Sequence, residues 1–249
     1  MQSNTILITG AAGTIGRAAA ELLSLEGYRL LLVDKEKTAL EQLAASLPHA
    51  AFMPMDVTDP LSISELFDQT ASELAGVVLA AGIEGPISIL EDCTDEAFHA
   101  VMATNVTSVW LGIKHALRIF KPRKKGNIIV LSSISGITAM PLLSPYCASK
   151  HAVMGLVKTA AREAAQYGIR INAVCPGPVQ SSMMGRIDAA LVEHYPERLN
   201  QHQDATHAVP MKRYATPEEI AKIISFFCSD ASSYCTGMTM TVDGGLTCK

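Results

Sequence analysis

The run Tyr146-Cys147-Ala148-Ser149-Lys150 sets a phenol and an ammonium four residues apart. On a helix that spacing is one turn, so both side chains project from the same face. A fixed cation beside a phenol favours the phenolate and draws its pKa down from about 10, toward the range where a proton can pass to or from an alcohol. Such a pair also arises easily by chance, so its meaning depends on its companions. Ser133 follows the aliphatic run Asn127–Leu131, and Asn105 lies in a helix-like segment before it. Either residue standing alone is as well explained by turn capping or backbone satisfaction.

A second chemical feature opens the chain. The aliphatic run Thr5–Thr9 leads into Gly10-Ala11-Ala12-Gly13-Thr14-Ile15-Gly16, after which Arg17 to Leu25 continues as an Ala/Leu-rich helix. Glycines at such a strand-to-helix turn let the backbone approach a pyrophosphate, whose charge is met by the free N–H groups and positive dipole end of the helix. Asp34 follows the second aliphatic run, about 20 residues on, where a carboxylate reaches the adenosine ribose hydroxyls of a dinucleotide. It would repel a 2′-phosphate, and Lys35 is the one nearby cation to counter that, so NAD is favoured over NADP. Asp34 also suits the N-cap of the helix that follows, and it can serve both ends.

The elements that must position these residues alternate along the chain. Thr5–Thr9, Arg29–Val33, Ala51–Pro54, Gly76–Ala80, Asn127–Leu131, Ile169–Val174 and Met238–Val242 read as strands, separated by segments of helical period. Nearly continuous apolar strands in βαβα order predict an α/β, doubly wound, Rossmann-type fold: a seven-stranded parallel sheet flanked by helices. No linker, composition break or repeat divides residues 1–249, which are read as one domain. The interval from about 178 to 216 has no strand pattern and carries Met183, Met184, Arg186, His194, Arg198, His202 and His207; it is expected to form a lid over the substrate.

Composition sets limits. A net charge of −4 offers no basic surface for nucleic acid, and the run Lys121 to Lys125 reads as a solvated helix end. Six cysteines without a Cys-x-x-Cys pair, and without histidines at zinc-ligand spacing, indicate buried free thiols rather than disulfides or a metal site. No apolar stretch approaches the ~20 residues of a membrane span, and the first strand begins too early to leave room for a signal peptide. The expected location is the cytoplasm.

Taken together, the glycine turn, Asp34, Asp56-Val57, Ala80-Ala81-Gly82, Asn105, Ser133, Tyr146, Lys150, Pro176-Gly177 and Asp243-Gly244-Gly245 resemble the short-chain dehydrogenase/reductase family from Thr9 to Gly245. The resemblance implies that Tyr146 is the general acid/base and that Ser133 hydrogen-bonds the substrate oxygen. It implies that Lys150 holds the nicotinamide ribose and tunes Tyr146, and that Asn105 supports a water linking Lys150 to solvent. It further implies a cofactor surface made of Gly10, Gly13, Thr14, Ile15, Gly16, Asp34, Lys35, Asp56, Val57, Leu79, Ala80, Ala81, Gly82, Tyr146, Lys150, Pro176, Gly177, Val179 and Ser181, with no metal. Two departures lie at the cofactor. Thr14 stands at the middle glycine of the family turn, and Leu79-Ala80-Ala81-Gly82 replaces Asn-Asn-Ala-Gly. The Glu73–Gly76 connection is also short for the family. A homotetramer is expected, with Trp110 and Phe120 either at an interface or in the core.

The activity so implied is NAD-dependent hydride transfer between a secondary alcohol and its ketone. Substrate specificity is expected from Ile83–Glu91, Gly136–Pro145 and the lid after Pro178, where Ile87, Ile137, Met140, Leu142, Leu143, Met183 and Met184 suggest an apolar pocket, while Arg186, Arg198 or the lid histidines would instead anchor an anionic substrate. The rival readings are an NADPH-dependent reductase of carrier-bound 3-oxoacyl chains, against which Asp34 argues, and a nucleotide-sensing scaffold without chemistry, against which the intact tetrad argues.

Overall fold

The computed structural model describes residues 4–195 and 205–248. Seven parallel strands form one sheet in the order β3-β2-β1-β4-β5-β6-β7. They are β1 (Thr5–Thr9), β2 (Arg29–Asp34), β3 (Ala50–Pro54), β4 (Leu74–Leu79), β5 (Gly126–Leu131), β6 (Ile169–Pro176) and β7 (Thr239–Val242). All seven strands expected from the sequence are present, with ends displaced by at most two residues. The strand order reverses between β1 and β4, and in open α/β sheets ligands bind outside the carboxyl ends of the strands at such a point.

Alternate side chains of the central strands feed two separate cores. Leu7, Val77, Leu79, Ile128, Val130 and Ile171 point to one face, beneath α3 (Pro60–Thr70), α5 (Ser108–Arg123) and α6 (Ser144–Ala164). Ile6, Ile8, Val78, Ile129 and Val174 point to the other, beneath α1 (Thr14–Leu25), α2 (Lys37–Ser46) and the helix Pro217–Cys228, labelled α8 below. Burial on both faces is why these strands read as unbroken apolar runs. Phe120 belongs to this core, whereas Trp110 on the same helix is exposed.

Local chemistry marks where the helices begin. Asp59 caps α3, with Pro60 in its first turn, and Thr94 caps α4 (Asp95–Met102). Ser181 caps α7 (Ser182–His194), and Thr216 and Glu219 form a reciprocal capping box on α8. The basic run Lys121 to Lys125 ends α5, where Lys124 adopts a left-handed C-cap. Its Arg123 reaches back to the carbonyls of Leu74, at 2.8 Å, and Ala71. Those contacts close the short α3–β4 connection, and the pairing of β1 with β4 skips Ala75 at the same place.

The interval after β6 is not irregular throughout. α7 occupies its first part, and a parallel bridge between Val179 and Ala215 ties its two ends together. Arg198 and His202, named from the sequence, lie outside the described residues. All six cysteines are free thiols. Among the described residues, no helix is long and apolar enough to cross a membrane.

Because α8 packs against α1, the helix that follows the glycine turn, its cap should matter to global stability. Thr216→Ala is expected to lower stability by about 1 kcal/mol in urea denaturation with an unchanged m-value; no shift in the midpoint would show that the helix start is held by packing alone.

Candidate active site

The carboxyl edge of β5 and the first turns of α6 face one another across a cavity of about 420 Å³. Ser132 continues the sheet by donating its N–H to Val174 O at 2.8 Å. The next residue, Ser133, then starts a 3-10 turn, Ile134–Gly136, in which its Oγ accepts from Ser135 N at 3.1 Å. Tyr146 and Lys150 lie one turn apart on α6, as their spacing predicts, and with Ser133 they line the cavity.

Lys150 is buried. Its Nζ donates to Leu131 O at 2.9 Å and lies 5.5 Å from the centre of the Tyr146 ring. Burial disfavours the charged form of each partner. It pushes the Tyr146 phenol up to about 12, with a hydrogen bond to Ser133 lowering it only in part, and it draws the Lys150 ammonium down to about 8. The lowering of the phenol expected from a neighbouring cation is not found in the polypeptide itself, where loss of solvent sets the direction of the shift. At neutral pH the pair is a protonated phenol beside a protonated amine.

Asn105 is completely buried in a π-helical turn, Ala103–Thr107, between α4 and α5. Its Oδ1 accepts from Ile83 N and its Nδ2 donates to Ile83 O, each at 2.9 Å, so it clamps one residue of the β4–α4 loop from both sides. Nδ2 also donates to Ser149 Oγ at 3.0 Å, and Ser149 Oγ donates to Tyr146 O at 2.7 Å. Both amide hydrogens are used within the protein, which makes the Asn105 side chain a brace between the loop and the helix carrying Tyr146 and Lys150.

The glycine turn forms the other end of the cavity. Gly10 has φ +67°, and a Cβ there would meet the Ala81 backbone at 2.6 Å; a Cβ on Gly16 would meet Gly10 O at 2.1 Å. These two glycines are sterically required, whereas Thr14 stands in the first turn of α1 without a left-handed backbone, so the exchange at that position does not strain the turn. Unlike α3, α4, α7 and α8, helix α1 has no side-chain cap, and its first N–H groups open on the cavity between Gly13, Thr14, Ile15 and Gly16. That arrangement fits a pyrophosphate, which would supply the missing acceptors.

Asp34 ends β2. One of its carboxylate oxygens accepts from Ala12 N at 3.0 Å and the other from Glu36 N at 3.1 Å. It thus ties the glycine turn to β2, while the N-cap position of α2 is Glu36. Lys35 and Asp56 are exposed, Asp56 accepts from Thr58 N and Oγ1 at 2.8 Å, and Val57 is buried. Ala80, Gly82, Pro176, Gly177, Val179 and Ser181 line the cavity. The Ser181 hydroxyl caps α7 by accepting from Met184 N at 3.1 Å. Ala81 lies against Gly10. Leu79 instead turns into the core above Gly112, where a Cβ would come within 2.6 Å of its side chain. An apolar residue in place of the family's amide is matched there by a glycine on α5.

Met140, Leu143, Met183 and Met184 form the apolar wall beside Tyr146, with Ile87 packed against them; Leu142 is buried and Ile137 is exposed. Two charged residues interrupt this wall. Arg186 Nε lies 2.5 Å from Glu84 Oε1. Glu84 falls within Ile83–Glu91, the first segment expected to set substrate specificity, but nothing in the sequence singles it out there.

A family model described as enoyl-(acyl carrier protein) reductase matches residues 10–247. The L-2,3-butanediol dehydrogenase of Corynebacterium glutamicum is 35% identical over 98% of each chain. An NAD+-bound xylitol dehydrogenase superposes with a TM-score of 0.91 at 29% identity, over 98% of this chain and 100% of that one. A structure of ElxO with NADP bound superposes with a TM-score of 0.88 at 26% identity over the whole of both chains.

The buried lysine yields a prediction in which stability and activity diverge. A folded pKa of about 8 below an unfolded value of 10.5 means that the charged form is penalised. The penalty is complete below about pH 8 and gone above about 10.5. Lys150→Met is therefore expected to melt at or above the wild-type temperature at pH 7, with the difference shrinking across that window. Turnover should fall by about 10²-fold or more. A variant clearly less stable than wild type at pH 7 would show that the Leu131 contact outweighs desolvation.

Proposed function

This chain belongs to the short-chain dehydrogenase/reductase family and is a hydride-transfer oxidoreductase acting between secondary alcohols and ketones, and we propose that its cofactor is NAD(H) and its proton-transferring group Tyr146. The observation that carries this reading is that Ser133, Tyr146 and Lys150 share one cavity with the uncapped start of α1. A nicotinamide ring bound there supplies the hydride donor or acceptor.

The residues of the chain do the rest. In reduction, the Ser133 hydroxyl holds the carbonyl oxygen and Tyr146 donates its phenolic proton to it; in oxidation the same phenol oxygen takes the proton back. Lys150, protonated at neutral pH, stabilises the phenolate left by reduction and donates to the ribose. A phenol held at about 12 carries its proton at neutral pH, so the acid form needed for reduction is present, and the phenolate it leaves depends on the charge of Lys150. Positioning, proton transfer and charge stabilisation are separate contributions to the barrier. The apolar wall excludes water from the reacting carbon, and α7 acts as the lid.

NAD(H) preference rests on Asp34. Its carboxylate is fixed by Ala12 N and Glu36 N at the end of β2, with lone pairs left for ribose hydroxyls and a charge that repels a 2′-phosphate. Asp56 and Val57 stand beyond it for the adenine. We place the protein in the cytoplasm as a homotetramer, a reading supported by the exposed Trp110 on α5.

Separate fluorescence titrations with NADH and NADPH test the cofactor. At least tenfold tighter binding of NADH is expected, and tighter binding of NADPH would replace this reading by the 3-oxoacyl reductase. Tyr146→Phe is expected to bind NADH normally while losing about 10²–10⁴-fold in turnover; full activity in that variant would remove Tyr146 from the chemistry.

A further inference from the structure

The Glu84–Arg186 pair is made through a single contact. The exposed pair Arg213–Glu219 is forked, with Nη1 to Oε2 and Nη2 to Oε1 both at 2.7 Å. Glu84 is far more buried, at 8% exposure, yet Arg186 reaches it through Nε alone and on one oxygen only. The Glu84 carboxylate borders the cavity with only one of its oxygens held by the described residues. Among the described residues nothing donates to Oε2, and Glu84 and Arg186 both line the reaction cavity.

Glu84 is also held in place from either side. The Ile83 backbone is clamped at both its N–H and its carbonyl by Asn105, the residue that braces the Tyr146 helix through Ser149. Gly85 bends the loop at φ +72°, where a Cβ would fall 2.3 Å from Val101. The carboxylate therefore has a set relation to Ser133 and Tyr146, as a recognition group requires. A pair with no net charge attracts an anion or a cation only weakly. What the pair offers is an acceptor at Oε2 and guanidinium donors beside it, which together suit a hydroxyl or a second carbonyl.

We infer that Glu84 is a specificity-determining residue that accepts a hydrogen bond from a second hydroxyl of the substrate, so that diols and hydroxyketones are preferred to monofunctional alcohols and ketones. Arg186 engages the other carboxylate oxygen and leaves Oε2 for the substrate. This deepens the proposed function and rests on it. A hydrogen bond to a charged group on a partly enclosed wall corresponds to a preference of roughly 10–100-fold.

The test compares kcat/KM for butane-2,3-diol with that for butan-2-ol, and for acetoin with that for butan-2-one, in the wild type and in Glu84→Leu, Glu84→Gln and Arg186→Met, each first shown to bind NADH. The wild type should prefer the bifunctional member of each couple. Glu84→Leu should bring the ratio to within about threefold of one, while Glu84→Gln, which keeps an acceptor, and Arg186→Met, which keeps the carboxylate, should retain most of it. Equal kcat/KM for both members in the wild type overturns the inference but leaves the proposed function standing. Loss of the preference in Arg186→Met as complete as in Glu84→Leu also overturns it, and makes the pair a fastening between α7 and the β4–α4 loop. Failure of all four compounds to react with either cofactor overturns the proposed function, and the inference with it.

Discussion

An ammonium group is kept under the carboxyl edge of the sheet, and much of the site can be understood as the means of holding it there. Lys150 is buried with Leu131 O as its protein partner, so its charge is carried against the preference of its surroundings. Its neighbour Tyr146 is displaced in the opposite sense by the same loss of solvent. Neither group gains stability from this placement. The penalty is offset elsewhere, by the two apolar cores that bury both faces of the central strands.

Holding such a pair in register requires that the parts carrying it cannot slip. Three segments distant in sequence meet at Asn105: the β4–α4 loop through Ile83, the helix α6 through Ser149, and the π-helical turn from which Asn105 itself projects. A regular α-helix from Asp95 to Arg123 would rotate this side chain by the phase of one residue. The π turn is an example of a local irregularity placed at a functional site, and it accounts for an asparagine completely buried between two helices. Because the same clamp sets the backbone next to Glu84, the chemical group and the polar group on the opposite wall are positioned by one brace.

At the other end of the cavity, the glycine turn and Asp34 are likewise one unit. The carboxylate holds Ala12 N, so the end of β2 and the glycine turn keep a fixed relation. The two departures from the family pattern are absorbed by different means. Thr14 enters a helical first turn that accepts any side chain, whereas Leu79 needs a complementary vacancy, provided by Gly112 on α5.

Most of the fold and the reacting groups were legible in the chain itself. Buried strands announce themselves as aliphatic runs because they are covered on both faces, and Tyr146 and Lys150 share a helix, so their alignment is a matter of spacing alone. Gly10, Gly16, Ser133 and Asp34 could be placed because each adjoins a strand end. What sequence could not supply depends on pairs brought together from far apart: Leu79 with Gly112, Asn105 with Ile83 and Ser149, and Arg186 with Glu84, 102 residues away. The direction of the Tyr146 pKa belongs to the same class, since the loss of solvent that raises it exists only in the packed chain. Local spacing and periodicity determine the elements and which side chains share a face; desolvation and long-range contact, which exist only once the chain has packed, decide the protonation of Tyr146 and Lys150, the bracing of α6 and which polar groups line the cavity.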